Sequence, residues 1–487
     1  MEAAFPHISR SSTVALRNRR WLWALASALL CLRFAHIRLL WADEDYHLAA
    51  AIQMLGGKLP YRDFWYDKPP LSAAYYLLIG GHAGWPLRAL DAAYIGVACF
   101  LAYRLARVWW SEAEGCAAAL LLAFFTTFYL PSAVIPFAAD ALMLVPHLAA
   151  IYCARRKRAL WAGVWTGVAF LANAKALFVL AACAVWLAPE LPLLLAGFAM
   201  PTACAALAAV ACGAWPGYIE QVWSWGLIYA AQPPVAQPLT NGFARTLNWL
   251  GFHAALAAGA VLGWLRIERG DRFQLGTWLI LSFAAVCLGS RFAPHYYLQL
   301  LPPLVIAASH GLVLTWRARR ALTAVILSLL LLVPFVRFGP RYAALAYDNL
   351  LNREPHWTDA AMDLDSQEAA ARLRAMAQPG DTLFVWGYRP DLYVYTRMMS
   401  AGRFWDSQPL TGVPADRHLF ATRAIYGGTA AAANRQELVR SHPTWIVDGL
   451  GPLNPKLAPT IYPELRPWLD GYRLVGRTKL SLIYRRR

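Results

Sequence analysis

The chain has 487 residues, 59% of them hydrophobic and only 15% charged, with a mean hydropathy of +0.39. Soluble chains carry about a quarter charged residues, so that class is excluded. A formal net charge of +17 does not signal nucleic acid, because the basic residues form short clusters between apolar stretches and no stripe interleaved with aromatics.

Apolar blocks of about twenty residues suffice to cross about 30 Å of hydrocarbon. They predict spans near residues 20–40, 88–108, 114–131, 138–154, 159–172, 175–188, 193–213, 247–265, 273–290, 295–314 and 320–338. The first follows MEAAFPHISRSSTVALRNRR, and its core Trp21–Leu32 has the length of a signal-peptide core. No small-residue cleavage site follows and Phe34–Trp41 continues apolar, which predicts an uncleaved span. With the N-terminus inside, the basic clusters Arg17/Arg19/Arg20, Arg104/Arg107, Arg155–Arg158, Arg266/Arg269/Arg272 and Arg317/Arg319/Arg320 all fall in inside loops. The positive-inside rule then supports about eleven spans and places everything after Phe338 outside. All eight cysteines lie in or beside apolar segments, where they read as small buried hydrophobes rather than a disulfide or zinc framework.

Residues 41–87 form a long first outside loop with Asp43, Glu44, Asp45, Asp63 and Asp67. Tyr46, Leu48, Ile52 and Leu55 fall near helical spacing before Gly56–Gly57, predicting an amphipathic helix on the membrane surface. Leu71–Ile79, too short to span, predicts a second interfacial piece. At a helix start, Asp43, Glu44 and Asp45 would cap free N–H groups and complement the helix dipole. Further along, Asp67-Lys68-Pro69-Pro70 sets a carboxylate beside an ammonium on a stiffened backbone, and Arg62–Asp63 adds a second mixed pair. These charges among aromatics and prolines favour a chemical role for the loop. A second outside loop, 214–246, carries Trp215, Trp223 and Trp225, expected at the water–lipid boundary.

Other charges fall near the outside face. Arg291 and His295 sit between spans nine and ten; Arg291 reads as a phosphate contact or a snorkelling side chain, His295 as a substrate residue or a satisfied interface residue. Lys175 follows Asn173-Ala174 in a short outside connection, and a phosphate partner or snorkelling would each offset its cost of about 2.5–3.5 kcal/mol in hydrocarbon. Asp140 reads as an acceptor-site residue or an N-cap after Pro136. Arg33, inside span one, has no visible partner. After Pro340 the pattern becomes mixed: helix at Ser366–Ala377, strand at Thr382–Trp386, helix at Asn434–Ser441, then strands at Trp445–Val447, Tyr472–Leu474 and Leu480–Tyr484. These residues predict a small α/β extracytoplasmic domain, 341–487, following a transmembrane domain, 1–340. No glycine-rich phosphate loop opens its helices, which disfavours a nucleotide site. Arg389, Asp391 and Tyr393 read as structural residues or as part of a roof over an active site, the structural role favoured.

The run W-A-D-E-D-Y, then G-K-L-P-Y-R-D, then D-K-P-P-L resembles the first extracytoplasmic loop of the GT-C membrane glycosyltransferases. It is most similar to the bacterial families of dolichyl-phosphate-mannose–protein mannosyltransferases and the lipid A aminoarabinose transferase. S-R-F-A-P-H-Y-Y-L-Q-L-L-P-P at 290–303 and W-G-Y-R-P-D-L-Y in the C-terminal part resemble the same group. The resemblance implies a polytopic GT-C-like enzyme of the bacterial inner membrane, with its active site and C-terminal domain on the extracytoplasmic face. It implies transfer of a sugar from a polyprenyl phosphate to a glycan, lipid or protein acceptor. By the motif match, Asp43 is the base toward the acceptor, Glu44 supports it, and Lys68 binds the departing phosphate with Asp67 orienting it. Arg62, Asp140, Lys175, Arg291 and His295 are the further substrate-binding expectations. No nucleotide or redox cofactor is implied, and a divalent cation is left open. The competing readings are a secondary transporter or flippase, which would place charged or broken helices in two related halves, and an O-antigen ligase or polymerase, which would carry its key residues in a large late loop.

Overall fold

The computed structural model describes residues 20–232, 235–355, 357–425 and 428–487. Arg17 and Arg19 of the first basic cluster lie outside the described residues. A helix overlaps every expected span, some running past its bounds: Arg20–Phe34, Trp85–Trp109, Glu112–Phe125, Leu144–Arg155, Ala159–Phe170, Ala176–Trp186, Leu191–Ala211, Ala254–Trp264, Arg269–Cys287, Leu301–Arg317 and Ala321–Leu350. Four helical stretches are long and apolar enough to cross a membrane unaided, namely Trp85–Trp109, Ala188–Ala211, Arg269–Ser290 and Ala321–Leu350. Pro238–Phe252 with Ala254–Trp264, bent by 84°, makes a fifth if the two count as one. By length and apolarity the described residues thus mark fewer spans than the eleven expected. The shortfall lies in the shorter helices: at 1.5 Å per residue, a twelve-residue helix such as Ala159–Phe170 covers only about 18 Å.

Small residues let these helices approach closely. A Cβ placed on Gly163 would strike the Leu194 carbonyl, and one on Gly197 would strike the Leu160 carbonyl. The helices Ala159–Phe170 and Leu191–Ala211 therefore touch backbone to backbone, the packing lipid-embedded helices use where no hydrophobic drive separates them from lipid. The costly Arg33 has a partner from the next long helix. Its Nε lies 3.1 Å from Asp91, both side chains fully buried, while its other nitrogens donate to the Val134 and Thr126 carbonyls at 3.1 and 3.0 Å. All eight cysteines are free.

The C-terminal part carries a five-stranded sheet of β1 (Thr382–Trp386), β2 (Met399–Ser400), β3 (Trp445–Asp448), β4 (Tyr472–Arg477) and β5 (Leu482–Arg486), in the order β2-β1-β3-β5-β4. β1 pairs in parallel with β2 and β3, whereas β5 runs antiparallel to β3 and β4. Every side chain of β3 is buried, as expected of a central strand covered on both faces. Helices Ala361–Met376 and Gly428–Val439 accompany the sheet. Arg389 fastens this unit, donating to Ser366, Ser481 and the Met362 carbonyl and pairing with Asp365 at 3.2 Å.

The first loop is not a surface feature. Its helix Glu44–Leu55 is buried on nearly all sides, which corrects the expected amphipathic helix on the membrane surface. Its polar residues have specific partners instead: Gln53 bonds the Met398 carbonyl and the Ser400 N–H at 3.2 and 2.9 Å, and His47 bonds the Tyr66 hydroxyl at 2.6 Å. Aromatic residues of the loop and of the C-terminal unit share one core. Tyr46 stacks on Tyr66 and Tyr388 at 5.3 and 5.4 Å, and Trp405 donates to the Trp65 carbonyl at 2.6 Å. Trp225, expected at the lipid boundary, is buried edge-on to Trp65.

Candidate functional site

Four separate stretches meet at the first loop, and their chemistry follows from how each is held. Asp43 stands at the N-cap position of the helix Glu44–Leu55, yet its side chain makes no capping bond. Its backbone is left-handed, with φ 74°, an unusual conformation for a residue with a Cβ. Glu44 does the reaching back, accepting from the Trp41 N–H at 2.9 Å. The capping explanation of the opening acids therefore belongs to Glu44 and not to Asp43. Among the described residues the Asp43 carboxylate has no hydrogen bond or ion pair, and it is only half-buried.

Glu44 has a different setting. It is fully buried and ion-paired with the equally buried Arg88, and it also accepts from the Phe137 N–H at 3.0 Å. Both its oxygens are occupied, so it faces protein, and its role is to hold Asp43's segment against the long helix Trp85–Trp109. Asp45 turns inward too. Burial first, then the charges of Asp391 and Asp43, hold its carboxyl well above the usual carboxylate range.

Lys68 lies 3.3 Å from Asp67. Burial works against its charge, but the carboxylates of Asp67, Asp43 and Asp406 outweigh it and hold the ammonium above its ordinary value. The second outside loop braces this segment. Gln221 donates to the Tyr61 carbonyl at 2.8 Å and accepts from the Tyr66 N–H at 2.7 Å. Gly217 lets the loop in, since a Cβ there would strike the same Tyr61 carbonyl. Arg62 lies apart at the rim, bound to Asp63 at 2.8 Å and to the Cys212 carbonyl at 3.2 Å. The structure does not bring it to the cluster, because the adjacent Asp63 already holds its guanidinium.

Asp140, Lys175 and His295 do converge. Lys175 Nζ is 3.0 Å from Asp140 and 3.1 Å from the centre of the Tyr296 ring, so Lys175 is paired rather than snorkelling. Asp140 also accepts from Asn173 and Gln299 at 3.1 and 3.2 Å, and His295 Nε2 lies 3.8 Å away. Ala138, not Asp140, occupies the N-cap position of the short helix Ala139–Leu142, which removes the capping reading of Asp140. Arg291 is buried against Tyr229, its guanidinium 3.4 Å from the ring centre, and it pairs with Asp416. The Asp43 charge is felt at Lys68, Lys175, Tyr229, Tyr296 and Tyr388.

Sequence reasoning missed Tyr296, Gln299, Tyr388, Asp406 and Asp416. The first three had a signal, because they stand inside the stretches S-R-F-A-P-H-Y-Y-L-Q and W-G-Y-R-P-D-L-Y. Asp406 and Asp416 are isolated acids with none. Asp406 is buried, and that burial, with Asp67 adding to it, raises its carboxyl to about 7. Among the described residues no group of three or more His, Cys, Asp or Glu side chains is placed to share a metal ion.

No protein-family model matches the chain, and no curated protein matches it. Solved structures do. A crystal structure of ArnT from Cupriavidus metallidurans bound to undecaprenyl phosphate matches at 16% identity and a TM-score of 0.57, covering 98% of this chain and 98% of that one. The apo form of the same protein matches at 14% identity and 0.58, over 96% and 98%. The AglB oligosaccharyltransferase from Archaeoglobus fulgidus, in complex with an inhibitory peptide and a dolichol-phosphate, matches at 13% identity and 0.48, over 96% and 74%. The likeness to ArnT is one of fold, and it runs from the first helix through the C-terminal sheet.

Proposed function

We propose that the chain is a membrane-embedded glycosyltransferase that moves a sugar from a polyprenyl-phosphate donor to an acceptor on the extracytoplasmic side. The observation that carries this reading is Asp43, a strained acid with no hydrogen-bond or ion-pair partner among the described residues, whose charge acts on the ammonium groups of Lys68 and Lys175. The shared fold with ArnT, bound in one crystal structure to undecaprenyl phosphate, supports the same class of donor. An acceptor hydroxyl attacks the anomeric carbon and its proton passes to Asp43 as general base. The bond from that carbon to the phosphate oxygen breaks, and the leaving lipid phosphate is stabilised by Lys68, oriented by Asp67. Glu44 positions Asp43 from behind. Asp140, Lys175, His295 and Arg291 line the substrate space, Lys175 and Arg291 on the anionic part. The transmembrane part, 1–340, is the catalytic domain of a bacterial inner-membrane protein, and 341–487 is an extracytoplasmic α/β domain roofing the site.

The test is mass spectrometry of envelope glycans and lipid-linked sugars from cells with and without the protein. The expected result is the loss of one glycosylated envelope product together with accumulation of its polyprenyl-phosphate sugar. Unaltered glycans would reject transfer. Accumulation of the donor with every glycan merely displaced across the membrane would point to transport instead.

A further inference from the structure

Arg291 and Arg417 converge on one carboxylate from two parts of the chain. Arg291 pairs with Asp416 and donates to the Tyr229 carbonyl at 2.7 Å. Arg417, next in sequence to Asp416, donates to the Gln232 carbonyl, and its Nε lies 3.8 Å from Asp416. Both arginines are more than nine-tenths buried, and the Nε of each lacks a hydrogen-bond partner. Burial lowers the Arg417 guanidinium from its ordinary value; Asp416 opposes this and the Arg291 charge adds to it. One carboxylate thus serves two buried guanidiniums, leaving a net positive charge and unused donors. Buried donors without partners are costly, and two planar forks around one point suit a tetrahedral oxyanion with more acceptor oxygens than a carboxylate has. Asp416 is a third exposed, so solvent reaches this point. It adjoins the Asp140–Lys175 group, because Arg291 shares a short segment with His295, 3.8 Å from Asp140, and with Tyr296, whose ring centre lies 3.1 Å from Lys175 Nζ.

We propose that Arg291 and Arg417 form a two-arginine oxyanion site, filled here by Asp416 and filled in its place by the phosphate of a polyprenyl phosphate. The proposal rests on the lipid-phosphate reading above and adds a C-terminal arginine and an internal competitor to it. Asp416 and Arg417 stand on the segment Pro414–His418 of the C-terminal unit, so donor binding breaks the Asp416 contact while Arg417 keeps the segment in place through Gln232.

Full-length protein in nanodiscs, titrated with undecaprenyl phosphate and separately with inorganic phosphate, tests this. Asp416→Asn should tighten undecaprenyl phosphate several-fold by removing the competitor. Arg417→Gln should weaken it roughly tenfold or more, the loss of one charge-assisted hydrogen bond, with Arg417→Lys recovering part of it. If the wild type binds undecaprenyl phosphate and neither variant changes its affinity, the oxyanion site is wrong while the lipid-phosphate reading stands. If the wild type binds none, both fall. Equal affinity for inorganic phosphate, with equal response to the variants, would make this a free-phosphate site and overturn the lipid as its ligand. Should Arg417→Gln fail to fold, Asp416→Asn decides alone: an unchanged affinity overturns the proposal.

Discussion

At the scale of single residues, neighbouring acids divide the work according to what surrounds them. Glu44 and Arg88 are both fully buried and bonded to each other, so removing one leaves the other as an unpaired charge. Glu44→Ala should therefore destabilise the protein by an amount on the order of 3–5 kcal/mol, read as a lower unfolding temperature in detergent. Replacing both, as Glu44→Ala with Arg88→Leu, should recover part of the loss; a single variant that melts with the wild type would contradict the buried-pair account. Asp43, with neither hydrogen bond nor ion pair among the described residues, should tolerate replacement without such a cost. The sequence motif named both acids as catalytic. Only three-dimensional context separates them, because the partner of Glu44 lies 44 residues away in another helix.

At the scale of elements, the weakest expectations concerned segments whose partners are distant in sequence. Periodicity marked β1 and β3, where local pattern and burial agree, and placed a helix at Ser366–Ala377 that in the structure begins earlier, at Ala361, and ends at Met376. It misjudged the helix Glu44–Leu55, because its lid is the C-terminal segment near Met398–Trp405, some 350 residues later. That interface also holds acids whose protonation matters. Burial and Asp391 raise the carboxyl of Asp363 to about 7, and burial and Asp67 do the same for Asp406. Both folded-state values lie above the unfolded value of about 3.9, so the folded protein binds more protons between about pH 4 and 7. Their stabilising contribution is full below about pH 4 and is lost as pH rises through about 7. The unfolding temperature should fall between pH 5 and pH 8, and the double variant Asp363→Asn/Asp406→Asn should flatten that slope. An equal slope in the variant would show that other groups set it.

At the scale of the whole molecule, charge distribution and hydropathy gave the membrane class, while helix length among the described residues marks only four or five spans by itself. The remaining helices, such as Ala159–Phe170 and Ala176–Trp186, are apolar but short. The topology reading expects cysteines introduced in 41–70 and at 155–158 to react from opposite sides of the membrane. Reaction of both from the same side would overturn it. Of the expected site residues, the structure brings Asp140, Lys175 and His295 together, sets Lys68 beside Asp67 and pairs Arg291 with Asp416. Arg62 stayed outside, held by its own neighbour.

The most direct measurement is sugar transfer from a polyprenyl-phosphate donor by membranes containing the wild type or Asp43→Asn. The account predicts a rate lower by roughly 10²–10⁴-fold, the usual loss of a general base, with an unfolding temperature near that of the wild type. Full transfer by Asp43→Asn would contradict it.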